Sequence, residues 1–229
     1  MSQVKINKNL IKQIEDEAKK YFQKASGCHD WTHVERVRAL ALKIGKKEKA
    51  DLGILELAAL LHDVAKPQEM KIKGRFCHAE IGAEIATKIL RKHKLGKNII
   101  DRIEHCIAAH RNKNKNAPAT LEAIVLYDAD KLDALGAIGA ARLFQFAGYI
   151  AGQLTVPKLL YTGREKQLIK SGRKYDYTPD DTAILEYEKE IKFIKDKLLT
   201  KEGRRIGKER HKYMENFFKR FWEEVRAEK

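Results

Sequence analysis

Cysteine is scarce: Cys28, Cys77 and Cys106 are the only three in 229 residues. So few thiols exclude a disulfide framework and point to a reducing compartment, with the cytoplasm as the simplest case. A chain of this length buries most of its unfolded surface and needs no covalent staples. Any run of about 18 apolar residues is also missing, so neither a transmembrane helix nor a membrane partner is expected. Met1 to Leu10 carries no apolar signal core. The Cys-x-x-Cys spacing that marks many zinc sites does not occur. Each cysteine does neighbour a histidine (Cys28-His29, Cys77-His78, His105-Cys106), but adjacent side chains diverge, so packed thiols are the expectation. No internal repeat and no separate second domain is visible. The reading is one domain over 1–229, with a core over residues 8–152, a basic loop over 153–177 and C-terminal helices over 178–229.

What the chain has in excess is positive charge. It carries 47 Lys/Arg against 32 Asp/Glu, a formal net charge of +15. The excess is spread out, with 27 against 18 in residues 1–157 and 20 against 14 in residues 158–229. Such a field favours anionic ligands such as nucleotides, phosphate esters or nucleic acid. A Lys-rich solvated surface accounts for the same numbers without any partner.

The hydrophobic pattern is helical. Leu10, Ile11, Ile14, Ala18, Tyr21, Phe22 and Ala25 recur at three- and four-residue spacing and predict a first helix that stops at Ser26-Gly27. Asp30 caps a second helix through Ile44, and Asp51 caps an almost wholly apolar third that runs to Val64, with Pro67 beyond its end. Further helices are expected over 78–93, 97–110, from Pro118 to Ala134, and over the Gly/Ala-rich 136–152. Residues 153–177 lack periodicity and hold six Lys/Arg; they form a candidate lid over phosphates, with Tyr161, Tyr175 and Tyr177 to stack on a base or anchor the loop. "TPDD" at 178–181 reads as a helix start capped by Thr178, and two charged helices complete the chain.

Polar residues interrupt this pattern at chosen places. "CHDWTHVERV" sets His29 and His33 one turn apart on a helix. "ALLHDVAK" ends an apolar run with His62 and Asp63, where unpaired burial would cost a few kcal/mol. "LYDADKLD" adds Asp128, Asp130 and Asp133 after another apolar run. Metal sites in helical bundles are built at such places, and imidazole with carboxylate suits Mn, Fe, Co, Ni, Zn or Mg. Adjacent residues on a helix diverge by about 100°, so His62 and Asp63 share an ion only where the helix is ending.

His33, His62-Asp63 and Asp130, in that order, resemble the four-ligand signature of the HD-domain superfamily of metal-dependent phosphohydrolases. The flanking "HDWTHVERV", "LAALLHDVAK", "HAEIGAEIA", "HR" and "LYDADKLDALGAIGAAR" are similar too. The C-terminal "EGRRIGKERHKYMENFFKRFWEE" resembles the tail of small bacterial and archaeal members that cleave nucleoside triphosphates. The resemblance implies an all-α HD-domain bundle with additional C-terminal helices, a divalent metal on His33, His62, Asp63 and Asp130, and a phosphorylated small-molecule substrate, a nucleotide cut to monophosphate and pyrophosphate. Lys66 matches a lysine that some such proteins place near substrate phosphate, and a cation at a helix C-terminus accounts for it equally; Asp133, three residues after Asp130, is a candidate to orient or deprotonate the attacking water or else to hold Lys131 or another surface charge, and Arg142 is a weaker phosphate candidate. Two-metal members add histidines from the regions of His78 and His110, with His29 as a further ligand. The adjacent histidine pair of the two-iron forms is missing, since Ala109 precedes His110, so one firmly held ion is expected. His29, His78 and His110 are then second-site or acid/base candidates. Three rivals stay open: a nucleotidase or cyclic-nucleotide or alarmone hydrolase, a di-iron oxygenase, and a non-catalytic nucleic-acid binder, this last not favoured. The sequence leaves the oligomeric state undetermined.

Overall fold

In the computed structural model the described residues are 5–23, 25, 28–71, 77–112, 116–154, 159–172 and 178–229, with no strand among them. Twelve α-helices are described, and they divide between two compact units.

The first unit comprises residues 1–130 and 199–203. Its helices are α1 (Lys8–Lys19), α2 (Trp31–Glu48), α3 (Leu52–Leu61), α4 (Lys66–Lys71), α5 (His78–Lys92), α6 (Lys97–Ala109) and most of α7 (Leu121–Asp133). Three of them start where a short polar side chain accepts an otherwise orphaned N–H. Asn7 accepts from Leu10 N at 2.9 Å, Asp30 from His33 N at 3.2 Å, and Asp51 from Gly53 N and Ile54 N at 3.1 and 3.2 Å. The centre is α3, which packs against α1, α2, α5 and α6. Apart from Glu56, which pairs with Arg38, the helix is apolar, and Ile54, Leu55 and Leu57 to Leu61 are all buried. Each fully buried leucine contributes roughly 1.5–3 kcal/mol relative to exposure.

The end of α3 departs from the sequence reading. The helix stops at Leu61 rather than Val64, and residues 62–65 form tight turns closed by Val64 N to Leu61 O and Lys66 N to Asp63 O. Pro67 does not mark empty chain beyond a helix end. It stands in the first turn of α4, where its missing N–H is no loss. Pro118 likewise precedes α7 by several residues, and Thr120 accepts from Ala123 N at 3.3 Å.

The second unit comprises residues 131–198 and 204–229. It holds α8 (Gly136–Leu154), α9 (Glu165–Lys170), α10 (Ala183–Lys189), α11 (Ile194–Lys197) and most of α12 (Lys201–Val225). Tyr187 stacks on Phe218 with ring centroids 3.9 Å apart, beside buried Met214 and Leu185. "TPDD" is a turn rather than a helix start: Asp181 accepts from Thr178 N at 2.6 Å, and α10 begins only at Ala183, on its own cap, Thr182. Within 153–177, Tyr161 packs against Phe221 and Trp222, and Arg164 pairs with Asp180 at 2.8 Å. Tyr175, Tyr177, Lys158, Arg173 and Lys174 lie outside the described residues, and with them the lid expectation. Among the described residues no single helix is long and apolar enough to cross a membrane.

Candidate metal centre

Asp63 is the hub of the site. It sits in the turn after α3, buried, and each of its carboxylate oxygens faces a different pair of imidazoles. Oδ2 lies 3.6 Å from His33 Nε2 and 3.7 Å from His62 Nε2. Oδ1 lies 3.2 Å from His78 Nε2 and 3.6 Å from His110 Nε2. His33, His62 and Asp63 thus form one buried set with metal-ligand spacing, and Asp63, His78 and His110 form a second. Asp130 joins the first set, its Oδ1 3.5 Å from His33 Nε2. The turn at 62–65 makes this geometry possible, because on a continuing helix His62 and Asp63 would point apart.

The rings are aimed by what their other nitrogen does. His62, the C-cap of α3, donates from Nδ1 to Ala59 O at 2.8 Å. His110, the C-cap of α6, donates from Nδ1 to Ile107 O at 2.6 Å. Both use a carbonyl three residues back, in the last turn of the helix, where carbonyls outnumber the N–H groups that can reach them. The proton is then fixed on Nδ1, and the Nε2 lone pair is aimed at Asp63, the arrangement a ligating histidine needs. His78 Nδ1 instead meets Glu69 Oε2 at 2.8 Å, and Lys66 Nζ donates to the same oxygen at 2.6 Å. Arg111 Nη1 donates to Glu69 Oε1 at 3.2 Å.

Charge follows this geometry. Burial drives the His62 pKa down to about 4, so the ring is neutral and free to ligate at neutral pH. Burial alone would push the Asp63 carboxyl up, but the imidazoles that face it, with His78 moved towards its charged form among them, hold it well below the usual carboxylate range. Glu69 is likewise held low: burial opposes ionisation, and the His78 hydrogen bond and Lys66 charge outweigh it. His78 moves up; burial opposes its charge, and Asp63 and Glu69 overcome that. A buried set of nitrogen and carboxylate donors, ionised at its hub, fits a divalent cation and leaves the choice of cation open.

The remaining sequence candidates sit elsewhere in the structure. His29 Nδ1 contacts Cys28 Sγ at 3.3 Å, and its ring lies 5.6 Å from that of His33, outside both sets. Asp128 is fully buried and accepts from Leu199 N, Thr200 N and Thr200 Oγ1 at 2.6–2.9 Å. In the second unit Asp133 is buried and ion-paired with Arg142 at 2.7 Å. His105 Nε2 accepts from Ala119 N at 3.0 Å, a structural role. Cys28 and Cys106 are buried as expected, and Cys77 is half-buried. Sequence reasoning missed Glu69 and Arg111. The "HR" pair at 110–111 was a signal for the arginine; Glu69 had none, since α4 itself went unread.

A family model describing the HD domain matches residues 30–135, a span that contains every member of both sets. The uncharacterised protein YpgQ of Bacillus subtilis is 32% identical over 206 residues, covering 87% of this chain and 86% of YpgQ. Ribonuclease Y of Borreliella burgdorferi is 29% identical over 208 residues, covering 89% of this chain but 38% of that protein. Among solved structures, YpgQ in complex with ADP superposes with a TM-score of 0.68 at 28% identity, over 94% of this chain and 95% of that one. An HD-superfamily hydrolase from Bacillus thuringiensis gives a TM-score of 0.69 at 26% identity, over 96% and 98%. The matched span includes the histidine-aspartate pair that follows the apolar run of α3, and the chain belongs to the HD-domain family as a metal-dependent phosphohydrolase.

Proposed function

We propose that this chain hydrolyses nucleoside triphosphates to monophosphate and pyrophosphate at a site that takes two divalent cations. The observation that carries the two-ion reading is the division of Asp63, one oxygen to each histidine pair. It favours two ions over the one firmly held ion expected from the sequence. His33, His62, Asp63 and Asp130 would hold the first ion, and Asp63, His78 and His110 the second. When bound, such cations polarise a phosphoryl oxygen and bring water to a nucleophilic state near neutral pH. The nucleotide reading is supported by the ADP complex of YpgQ, which matches this chain over nearly its full length.

The chain's own residues orient the reaction. Main-chain carbonyls hold His62 and His110 with Nε2 inward, and burial of α3 keeps bulk water off Asp63. Lys66 carries three donors and gives one to Glu69, which leaves capacity for a substrate phosphate oxygen. Arg111, with five donors, is its natural companion. The Asp133–Arg142 ion pair, with Asp133 buried, favours a structural role for both.

A second reading is phosphodiester cleavage in RNA, favoured by the match to Ribonuclease Y along 89% of the chain. One experiment separates the two. Nucleoside tri-, di- and monophosphates, cyclic nucleotides and a labelled oligoribonucleotide are each incubated with Mn, Mg, Co or Ni, and products are resolved by ion exchange. Pyrophosphate and monophosphate in equal amounts are expected. Inorganic phosphate alone, or a cut oligoribonucleotide with triphosphates untouched, would sink the triphosphate reading.

A further inference from the structure

We propose that Glu69 is the positioning residue of the second histidine pair: it sets the tautomer and aim of His78 and thereby the strength with which the second cation is held. This rests on the two-ion reading above. The argument starts from helix ends. His62 and His110 each close a helix, where carbonyls outnumber the N–H groups that can reach them, and each takes a carbonyl three residues back. His78 opens one, as the first residue of α5. A helix start offers spare N–H groups and no such carbonyl, so the device that aims the other two rings is denied to His78. Its Nδ1 needs an acceptor from elsewhere in the chain.

Glu69 supplies it from α4, nine residues away. Oε2 meets His78 Nδ1 at 2.8 Å, and Oε1 accepts the His78 backbone N–H at 3.4 Å. The same carboxylate thus orients the ring and serves the start of α5, where Cys77 makes no side-chain cap and a negative charge is favoured. Glu69 is in turn fixed by Lys66 and Arg111, one cation on each oxygen. The glutamate is buried, and its only described charged contacts are these three residues. A carboxylate behind a ligating imidazole raises the ring's basicity, and loss of such a partner typically weakens a metal site 10–100-fold. The two ions should therefore differ in their dependence on Glu69: the second relies on it, and the first, held by His33, His62, Asp63 and Asp130, does not.

The test uses the full chain, stripped with chelator and titrated with Mn2+ by calorimetry, beside a long-range 1H–15N spectrum of the histidine rings in the metal-free chain at alkaline pH, where the rings are neutral. Wild type should bind two Mn2+. Glu69→Ala and Glu69→Gln should weaken one of them 10–100-fold and leave the other unchanged, with the smaller loss in Glu69→Gln, whose amide oxygen still accepts from Nδ1. The His78 resonance, assigned by its absence in His78→Asn, should report a proton fixed on Nδ1 in wild type and a mixture of tautomers in Glu69→Ala. Should Glu69→Ala fail to fold by circular dichroism, Glu69→Gln decides alone. Two wild-type Mn2+ affinities in a folded Glu69 variant would overturn the proposal, as would an unchanged His78 tautomer. A wild type that binds one Mn2+ overturns the two-ion reading instead, and the tautomer then settles the role of Glu69 by itself.

Discussion

One carboxylate serving two clusters makes Asp63 unlike any of the histidines around it. Its loss removes a ligand from both sets, whereas each imidazole belongs to one. Asp63→Ala should therefore bind neither Mn2+ tightly and lose at least about 10³-fold in turnover, while circular dichroism still shows a helical protein. His110→Ala should keep one Mn2+ of near wild-type affinity. Metal analysis after gel filtration checks both; equal stoichiometry in the two variants would contradict the shared hub. At this scale most of the site was legible. Histidine and aspartate in an apolar run must find partners, and the order of His33, His62-Asp63 and Asp130 supplied them. Glu69 was not legible, because a glutamate in a short polar stretch looks like any solvated surface residue. Its role exists only once α4 turns it back towards α5. Asp128 shares the "LYDADKLD" stretch with Asp130, yet it was not among the expected ligands, and its contacts include residues 199 and 200.

Elements are held in place by such contacts. Asp128 serves two backbone N–H groups and the Thr200 hydroxyl from full burial, and Gly203 approaches it so closely that a β-carbon there would collide with its carboxylate. Asp128→Ala leaves these donors unmet, at a cost of roughly 1–3 kcal/mol each before relaxation. A loss of about 3 kcal/mol is expected in urea unfolding, with Gly203→Ala also destabilised and Asp128→Asn milder than Asp128→Ala. In the second unit Tyr187 gives a pH signature. Burial first, then the charges of Glu188 and Glu215, raise its phenol to about 12. The folded pKa exceeds the unfolded value of about 10, so its contribution is intact below pH 10 and lost as the pH climbs towards 12. Melting temperatures across pH 9–12 should fall more steeply for wild type than for Tyr187→Phe; parallel curves would contradict the burial argument. Helices with clear periodicity were readable in the sequence. The 62–71 and 178–183 boundaries were not, since proline and an Asp-Asp pair are as much at home in a turn or a first helical turn as at the ends first read for them.

At the scale of the whole molecule the +15 charge acts at a distance. It attracts a polyphosphate before any contact is made, and salt screens that attraction over about 10 Å at 0.1 M. Raising ionic strength from 20 to 300 mM should lower kcat/KM for a nucleoside triphosphate several-fold and leave kcat nearly constant. An unaltered kcat/KM would show that the charge merely solvates the surface. The histidine-aiming carbonyls carry a different consequence. Because His62 and His110 are braced by peptide groups rather than by side chains, no point substitution can remove the brace without unmaking a helix end. Heredity can thus revise the residues that meet a substrate while the cradle beneath them stays the same.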